Sequence, residues 1–194
     1  LLSNSSFPAP GGDGNGGTGY DSIGGMQTAK NALVVGAVND VLSDPYTSGQ
    51  IVTTGFSSYG PMDDGRIKPD VVGNGAGLYS TNSSSDTAYT TLSGTSMASP
   101  NVAGTAVLLI EHFEDEFLTA PRSATTKGVL IHTASEAGNL GPDYAYGWGL
   151  ADAAAAATFI TDSALGAAGE SLQERTYSGT EYTQDVVSTG TERL

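Results

Sequence analysis

Residues 92–104 read Leu92-Ser93-Gly94-Thr95-Ser96-Met97-Ala98-Ser99-Pro100-Asn101-Val102-Ala103-Gly104. A hydroxyl sits here between a glycine turn and the start of an apolar, helix-spaced run. An alcohol is a poor nucleophile at neutral pH. It gains reactivity from a base that takes its proton and from N–H donors that stabilise an oxyanion. A serine at a helix N-terminus has unpaired N–H groups and the positive end of the helix dipole beside it. Gly94 permits unusual backbone angles, small Ala98 and Ser99 allow close packing, and Pro100 falls near a first turn, where a missing N–H costs little. The plainer alternative is that Ser96 only caps the helix.

Downstream of the motif the pattern is helical. Val102, Ala106, Ile110, Phe113 and Phe117 recur at three- and four-residue spacing, and Ala103, Val107 and Leu109 widen the stripe. This predicts a largely buried helix over 97–117, closed by Glu114-Asp115-Glu116. Pro121 opens a second helix to about Ser135. Tyr144 to Gly149 reads as a tight aromatic-glycine turn, and Leu150 to about Thr161 as a third helix. Upstream, the apolar run Ala32 to Val38 suits a strand buried on both faces of a parallel sheet. Thr53 to Tyr59 and Pro69 to Val72 read as further short strands or extended segments, with Asp63-Asp64-Gly65 as a turn between them. Thr81 to Ser93 reads as a polar loop, and the glycine-rich stretch 1–25 as irregular. The fold class is therefore α/β, a mainly parallel sheet with flanking helices. It occupies residues 1–162. Residues 163–194 read as a linker and the beginning of a β-rich region, on the strength of Thr176-Tyr177-Ser178, Glu181-Tyr182-Thr183 and Val186-Val187. These strands need partners to be stable.

The 194 residues carry 21 acidic and 7 basic side chains, a net charge of −14 that disfavours nucleic acid as a partner. No apolar run reaches the roughly 18 residues of a membrane span. Cysteine is absent, which excludes thiolate metal sites, disulfides and a cysteine nucleophile. No basic and apolar leader opens the sequence.

Gly94-Thr95-Ser96-Met97-Ala98-Ser99-Pro100, with Val102-Ala103-Gly104 after it, resembles the nucleophile segment of the subtilisin-like serine proteases. Other blocks follow in that family's order. Val35-Gly36-Ala37-Val38 is similar to its strand after the specificity-pocket loops. Phe56-Ser57-Ser58-Tyr59-Gly60-Pro61 resembles its Phe-Ser-x-x-Gly-Pro segment, and Lys68-Pro69-Asp70-Val71-Val72 with Gly75 its Lys-Pro-Asp segment. Leu130 to Ala134 resembles its helix ending in Thr-Ala. Tyr146-Gly147-Trp148-Gly149 with Asp152-Ala153 resembles its Tyr-Gly-x-Gly-x-x-(Asn/Asp)-Ala signature. The resemblance covers residues 19 to 160.

It implies that Ser96 is the nucleophile of a secreted or extracellular serine endopeptidase acting on peptide or protein substrates. It also implies that Gly19, Tyr20, Gly94 and Thr95 line the substrate site, and that the β-rich C-terminal region begins a β-sandwich. The family's Asp-Thr/Ser-Gly, His-Gly-Thr-His and Ala-Gly-Asn segments are not found in these residues. The catalytic Asp and His and the oxyanion Asn are thus expected from a companion N-terminal segment. An inactive fragment with a structural or interaction role is the alternative, and a nicked enzyme with its N-terminal part held non-covalently is a third.

Local substitutes for the base are few. His112 lies sixteen residues along the helix from Ser96, about 24 Å at 1.5 Å per residue, which reads as a helix-surface histidine. His132 falls in the Thr-Ala helix, where a structural role is expected. Lys127 is the remaining alternative, as a serine–lysine pair. Asn15, in Gly14-Asn15-Gly16, follows no apolar strand and reads as a turn residue rather than an oxyanion donor. Chemistry of this kind needs no cofactor. Structural calcium is an expectation from the resemblance, with Asp13, Asn15 and Asp21 as hard oxygen ligands, although they lack a full calcium-loop spacing and equally suit a solvated loop.

Overall fold

The computed structural model describes residues 22–43, 45–166 and 172–183. Its centre is a two-stranded parallel sheet of β1 (Val35–Val38) and β2 (Val71–Asn74), paired Val35 with Val71 through Val38 with Asn74. All four β1 residues are buried, as the continuous apolar run predicts. Alternation sends Val35, Ala37 and Val71 to one face. There they pack with Ala98, Val102, Leu109 and Phe113 of helix α1 (Thr95–Phe117), Val129 and Leu130 of α2 (Ser123–His132), and Ala156 and Ile160 of α3 (Ala153–Leu165). Val38 and Val72 point to the other face and meet Ile51, Ala137 and Leu150.

The middle of the sequence departs from expectation in two places. Thr53 makes only an isolated bridge to Val38, and the Ser57 N–H closes a turn on Thr54 O at 3.1 Å, so 53–59 is not a continuous strand. The expected loop from Thr81 to Ser93 contains instead half of an antiparallel ribbon, β3 (Leu78–Thr81) with β4 (Tyr89–Leu92). Its Thr and Tyr residues have high β propensity, and cross-strand pairing satisfies their backbone, which a reading of composition alone underweights.

The helices differ at their ends for identifiable reasons. The second starts at Ser123 after an extended Arg122 and stops at His132. Ser135 is extended and exchanges two hydrogen bonds with Leu150, at 2.8 and 2.9 Å. Leu150 is thereby held out of the third helix. That helix begins at Ala153 because Asp152 caps it, accepting from the Ala155 N–H at 2.9 Å. It runs to Leu165, past the expected boundary at 162, and ends at Gly166 in the left-handed conformation.

Among the described residues no strand forms after α3. Residues 172–183 run across the start of α2 instead. Glu174 accepts from the Arg122 N–H at 2.7 Å and from the Thr125 hydroxyl, and so caps α2 from a distance. Arg122 and Thr125 hold the Glu174 carboxyl below its ordinary value. Helix α1 is less covered than its stripe predicts. Val107 and Leu108 are 64% and 65% exposed, because the sheet, α2 and α3 all lie on its other side.

Candidate active site

The nucleophile turn is fastened to the sheet by glycines. β2 ends at Asn74 and passes into Gly75, whose N–H donates to Val38 O at 3.0 Å and whose carbonyl accepts from the Gly94 N–H at 2.7 Å. A Cβ on Gly75 would lie 2.6 Å from Ala37 Cβ and 2.9 Å from Gly94 O. Only glycine lets the turn approach the ends of β1 and β2 this closely. Gly94 has φ 157 and ψ 161, a conformation that residues with a side chain rarely adopt, and its carbonyl accepts from both Met97 N–H (2.9 Å) and Ala98 N–H (3.3 Å). The α1 N-terminus is thus pinned beyond the C-terminal ends of the parallel strands, the side on which open α/β sheets carry their ligands.

Ser96 is exposed at the first turn of α1. Among the described residues its hydroxyl has no hydrogen-bond partner, and the N–H groups of Thr95 and Ser96 have no backbone acceptor. Two donors at the positive end of a 23-residue helix therefore flank a free hydroxyl. Ser96 does not act as a side-chain cap, since no side-chain capping bond is made at this helix start. Pro100 lies in the second turn rather than the first. It cannot donate to the Ser96 carbonyl, so that carbonyl lacks its usual helical partner. The Thr95 side chain is fully buried, and its Oγ1 has no hydrogen-bond partner. Whatever Thr95 offers a substrate comes from its backbone. Gly19 and Tyr20, and likewise Asp13, Asn15 and Asp21, lie outside the described residues.

The local alternatives to an external base are otherwise engaged. His112 joins α1 to α3, with Nε2 2.9 Å from Thr161 Oγ1 and 3.2 Å from Ala157 O. It is an inter-helix contact rather than a free surface histidine. His132 packs on the Phe159 ring, centroids 4.8 Å apart. Lys127 Nζ contacts Asp70 Oδ1 at 2.9 Å and donates to Ala32 O at 3.0 Å.

That lysine belongs to a buried charge network to which the sequence reading gave no role. Asp70 Oδ2 accepts from Lys68 Nζ at 2.6 Å and from the Val34 N–H at 2.7 Å, while Lys68 Nζ also reaches Ala32 O at 3.1 Å. The network joins the starts of β1 and β2 to α2. Burial pushes the Lys68 ammonium below its ordinary value, against the opposing pull of Asp70. The signal was present in the sequence: Lys68 and Asp70 run directly into the buried Val71-Val72, and charges so placed must be paired.

An exposed serine at a helix N-terminus, seated at the C-terminal edge of a parallel sheet, places the chain in the α/β class. The comparisons name the family. The sequence model of the subtilase family matches residues 8–149, and the chain belongs to that family. It is 38% identical over 117 residues to pyrolysin of Pyrococcus furiosus, spanning 50% of this chain and 8% of pyrolysin. It is 36% identical over 110 residues to the C5a peptidase of Streptococcus pyogenes, 55% and 9% of the two chains. With the serine protease AprX of Bacillus subtilis it shares 31% identity over 114 residues, 53% and 25%. The chain thus spans a quarter or less of these relatives. Among solved structures, the CspB protease of Clostridium perfringens matches with TM-score 0.58 and 27% identity over 73% of this chain and 29% of its own. The patellamide maturation protease PatA shares the fold, with TM-score 0.57 and coverage of 73% and 47%.

Proposed function

We propose that this chain is the nucleophile-bearing part of a subtilisin-like serine endopeptidase. Ser96 Oγ attacks the peptide carbonyl, and the Ser96 N–H donates to the resulting oxyanion. A histidine outside these residues takes the hydroxyl proton and returns it to the leaving amine, oriented by an aspartate. The observation that carries this reading is the exposed, unpartnered Ser96 hydroxyl beside two free N–H groups at the fixed start of α1. Both histidines of the sequence are committed to α3, which supports an external base and oxyanion asparagine from a companion N-terminal segment. Gly94 and the Thr95 backbone line the substrate cleft in this reading, and Gly19 and Tyr20 its specificity side. An extracellular location is part of this reading, supported by the likeness to the C5a peptidase of Streptococcus pyogenes and the PII-type proteinase of Lactococcus lactis. The β-rich C-terminal region rests on sequence texture alone. Structural calcium rests on family resemblance alone, and among the described residues no group of three acidic or histidine side chains fits a cation.

The test is covalent labelling by a fluorophosphonate, in which Oγ bonds phosphorus and fluoride leaves. The full-length protein labels at Ser96, and S96A does not. The 194 residues alone stay unlabelled, since no base is present. Labelling elsewhere in the wild type, or none in the full-length protein, rejects the assignment and favours an inactive structural piece. Native mass spectrometry distinguishes a nicked enzyme, because a separate chain carrying the Asp and His would co-purify.

A further inference from the structure

The β3–β4 ribbon is the described element nearest in sequence to Ser96, and among the described residues one of its faces stays open to solvent. Pairing places Tyr79 opposite Thr91 and Thr81 opposite Tyr89, so these four side chains share a face. On it the two tyrosine rings stack diagonally, centroids 5.4 Å apart and planes 21° apart. They remain 72% and 56% exposed. Two tyrosines stacked on each other yet open to water form a rigid, amphipathic surface with little rotamer entropy to lose on binding.

The ribbon's base is tied to the nucleophile turn twice. Gly94 N–H donates to Gly75 O at 2.7 Å, and the Ser93 hydroxyl accepts from the Gly77 N–H at 2.9 Å. Thr91, the partner of Tyr79, precedes Ser96 by five residues. Even fully extended, five residues span no more than about 18 Å. An extended substrate chain held at Ser96 is therefore long enough to reach the tyrosine face with five or six of its own residues.

We propose that the Tyr79–Tyr89 stack is a specificity platform for extended substrates. It takes an aromatic side chain lying five or six residues from the bond cleaved at Ser96. Thr81 and Thr91 flank the rings with hydroxyls that suit the adjoining peptide groups. This rests on Ser96 being the nucleophile.

The test compares, in the full-length protein, ten-residue fluorogenic peptides carrying Phe or Ala at that position with a tripeptide anilide. Wild type favours the Phe decapeptide. Y79S/Y89S raises its KM about three- to tenfold, as expected for a lost aromatic contact, so the decapeptide-to-tripeptide ratio of kcat/KM falls. Y79F/Y89F, which keeps the stack, preserves the ratio. A ratio unmoved by Y79S/Y89S, or equal preference for Phe and Ala peptides, overturns the platform. Calorimetric binding of the Phe decapeptide to S96A and to S96A/Y79S/Y89S separates the two readings. Weaker binding by the triple variant sustains the platform even without turnover, and equal binding rejects it. Undiminished hydrolysis by S96A rejects the nucleophile instead.

Discussion

At the scale of single residues, stability leans on a buried charge cluster at the opposite ends of the strands from Ser96. Asp70 holds two ammonium groups and a strand N–H, and both Lys68 and Asp70 are nearly inaccessible to solvent. Removing one partner of such a cluster leaves the others buried and uncompensated. D70N is expected to destabilise the protein by about 3–5 kcal/mol, read from the urea midpoint of the full-length protein. The network also gives stability a pH dependence of definite sign. Lys68 has a folded-state value below the 10.5 of an unfolded lysine, so between the two values the unfolded chain binds more protons. Stability from this group rises as pH rises through that window. The slope of unfolding free energy against pH on the alkaline side of neutrality is therefore steeper in wild type than in K68M. An equal or shallower wild-type slope contradicts this account.

At the scale of elements, what fixes α1 is the close passage of backbone past backbone. Gly75 makes the approach at the nucleophile turn, and Gly147 makes it at the turn before α3. Gly147 has φ 64, and a Cβ there would lie 2.3 Å from Pro69 O and 2.5 Å from Asp70 O. Its turn carries the Trp148 N–H to Asp70 O at 2.9 Å, and the following residues bring Leu150 beside β2. G147A combines a strained backbone with a clash against unyielding carbonyls. It is expected to cost about 1–3 kcal/mol and to lower the melting temperature by several degrees, with the Ser96 labelling rate falling at temperatures where the wild type is unaffected. The aromatic-glycine turn was legible in the sequence because glycine next to large rings signals this geometry. The β3–β4 ribbon was not, because a Ser/Thr-rich stretch acquires strand character only once Leu78 faces Leu92 and Tyr89 faces Thr81.

At the scale of the molecule, the exposed side of α1 is the main departure from expectation. Val107 and Leu108 stand in the middle of a 23-residue helix that carries the nucleophile, and apolar side chains in that position call for cover. The chain covers 29% of the CspB protease chain and 47% of the PatA chain. L108A in the full-length protein is accordingly expected to cost about 2–4 kcal/mol, the range of a buried leucine. A change below about 0.5 kcal/mol would mark it as a true surface position.

Local chemistry alone determined that 92–104 is a glycine turn feeding a helix and that 35–38 is a buried strand, while Ser96 stood out only through the resemblance of 94–100 to the subtilisin-like nucleophile segment. These features are written in neighbouring residues, so a one-dimensional reading recovers them. The tertiary structure alone decided that Lys127 is spent on Asp70, that His112 and His132 serve α3, that the Thr95 side chain is sealed away, and that two tyrosines ten residues apart stack on the β3–β4 ribbon. Each depends on groups distant in sequence meeting in space. A histidine or lysine has the same composition and spacing whether it is free to accept a proton or held by an acceptor 45 or more residues away. Only the packed chain distinguishes them, and among the described residues it leaves the Ser96 hydroxyl open.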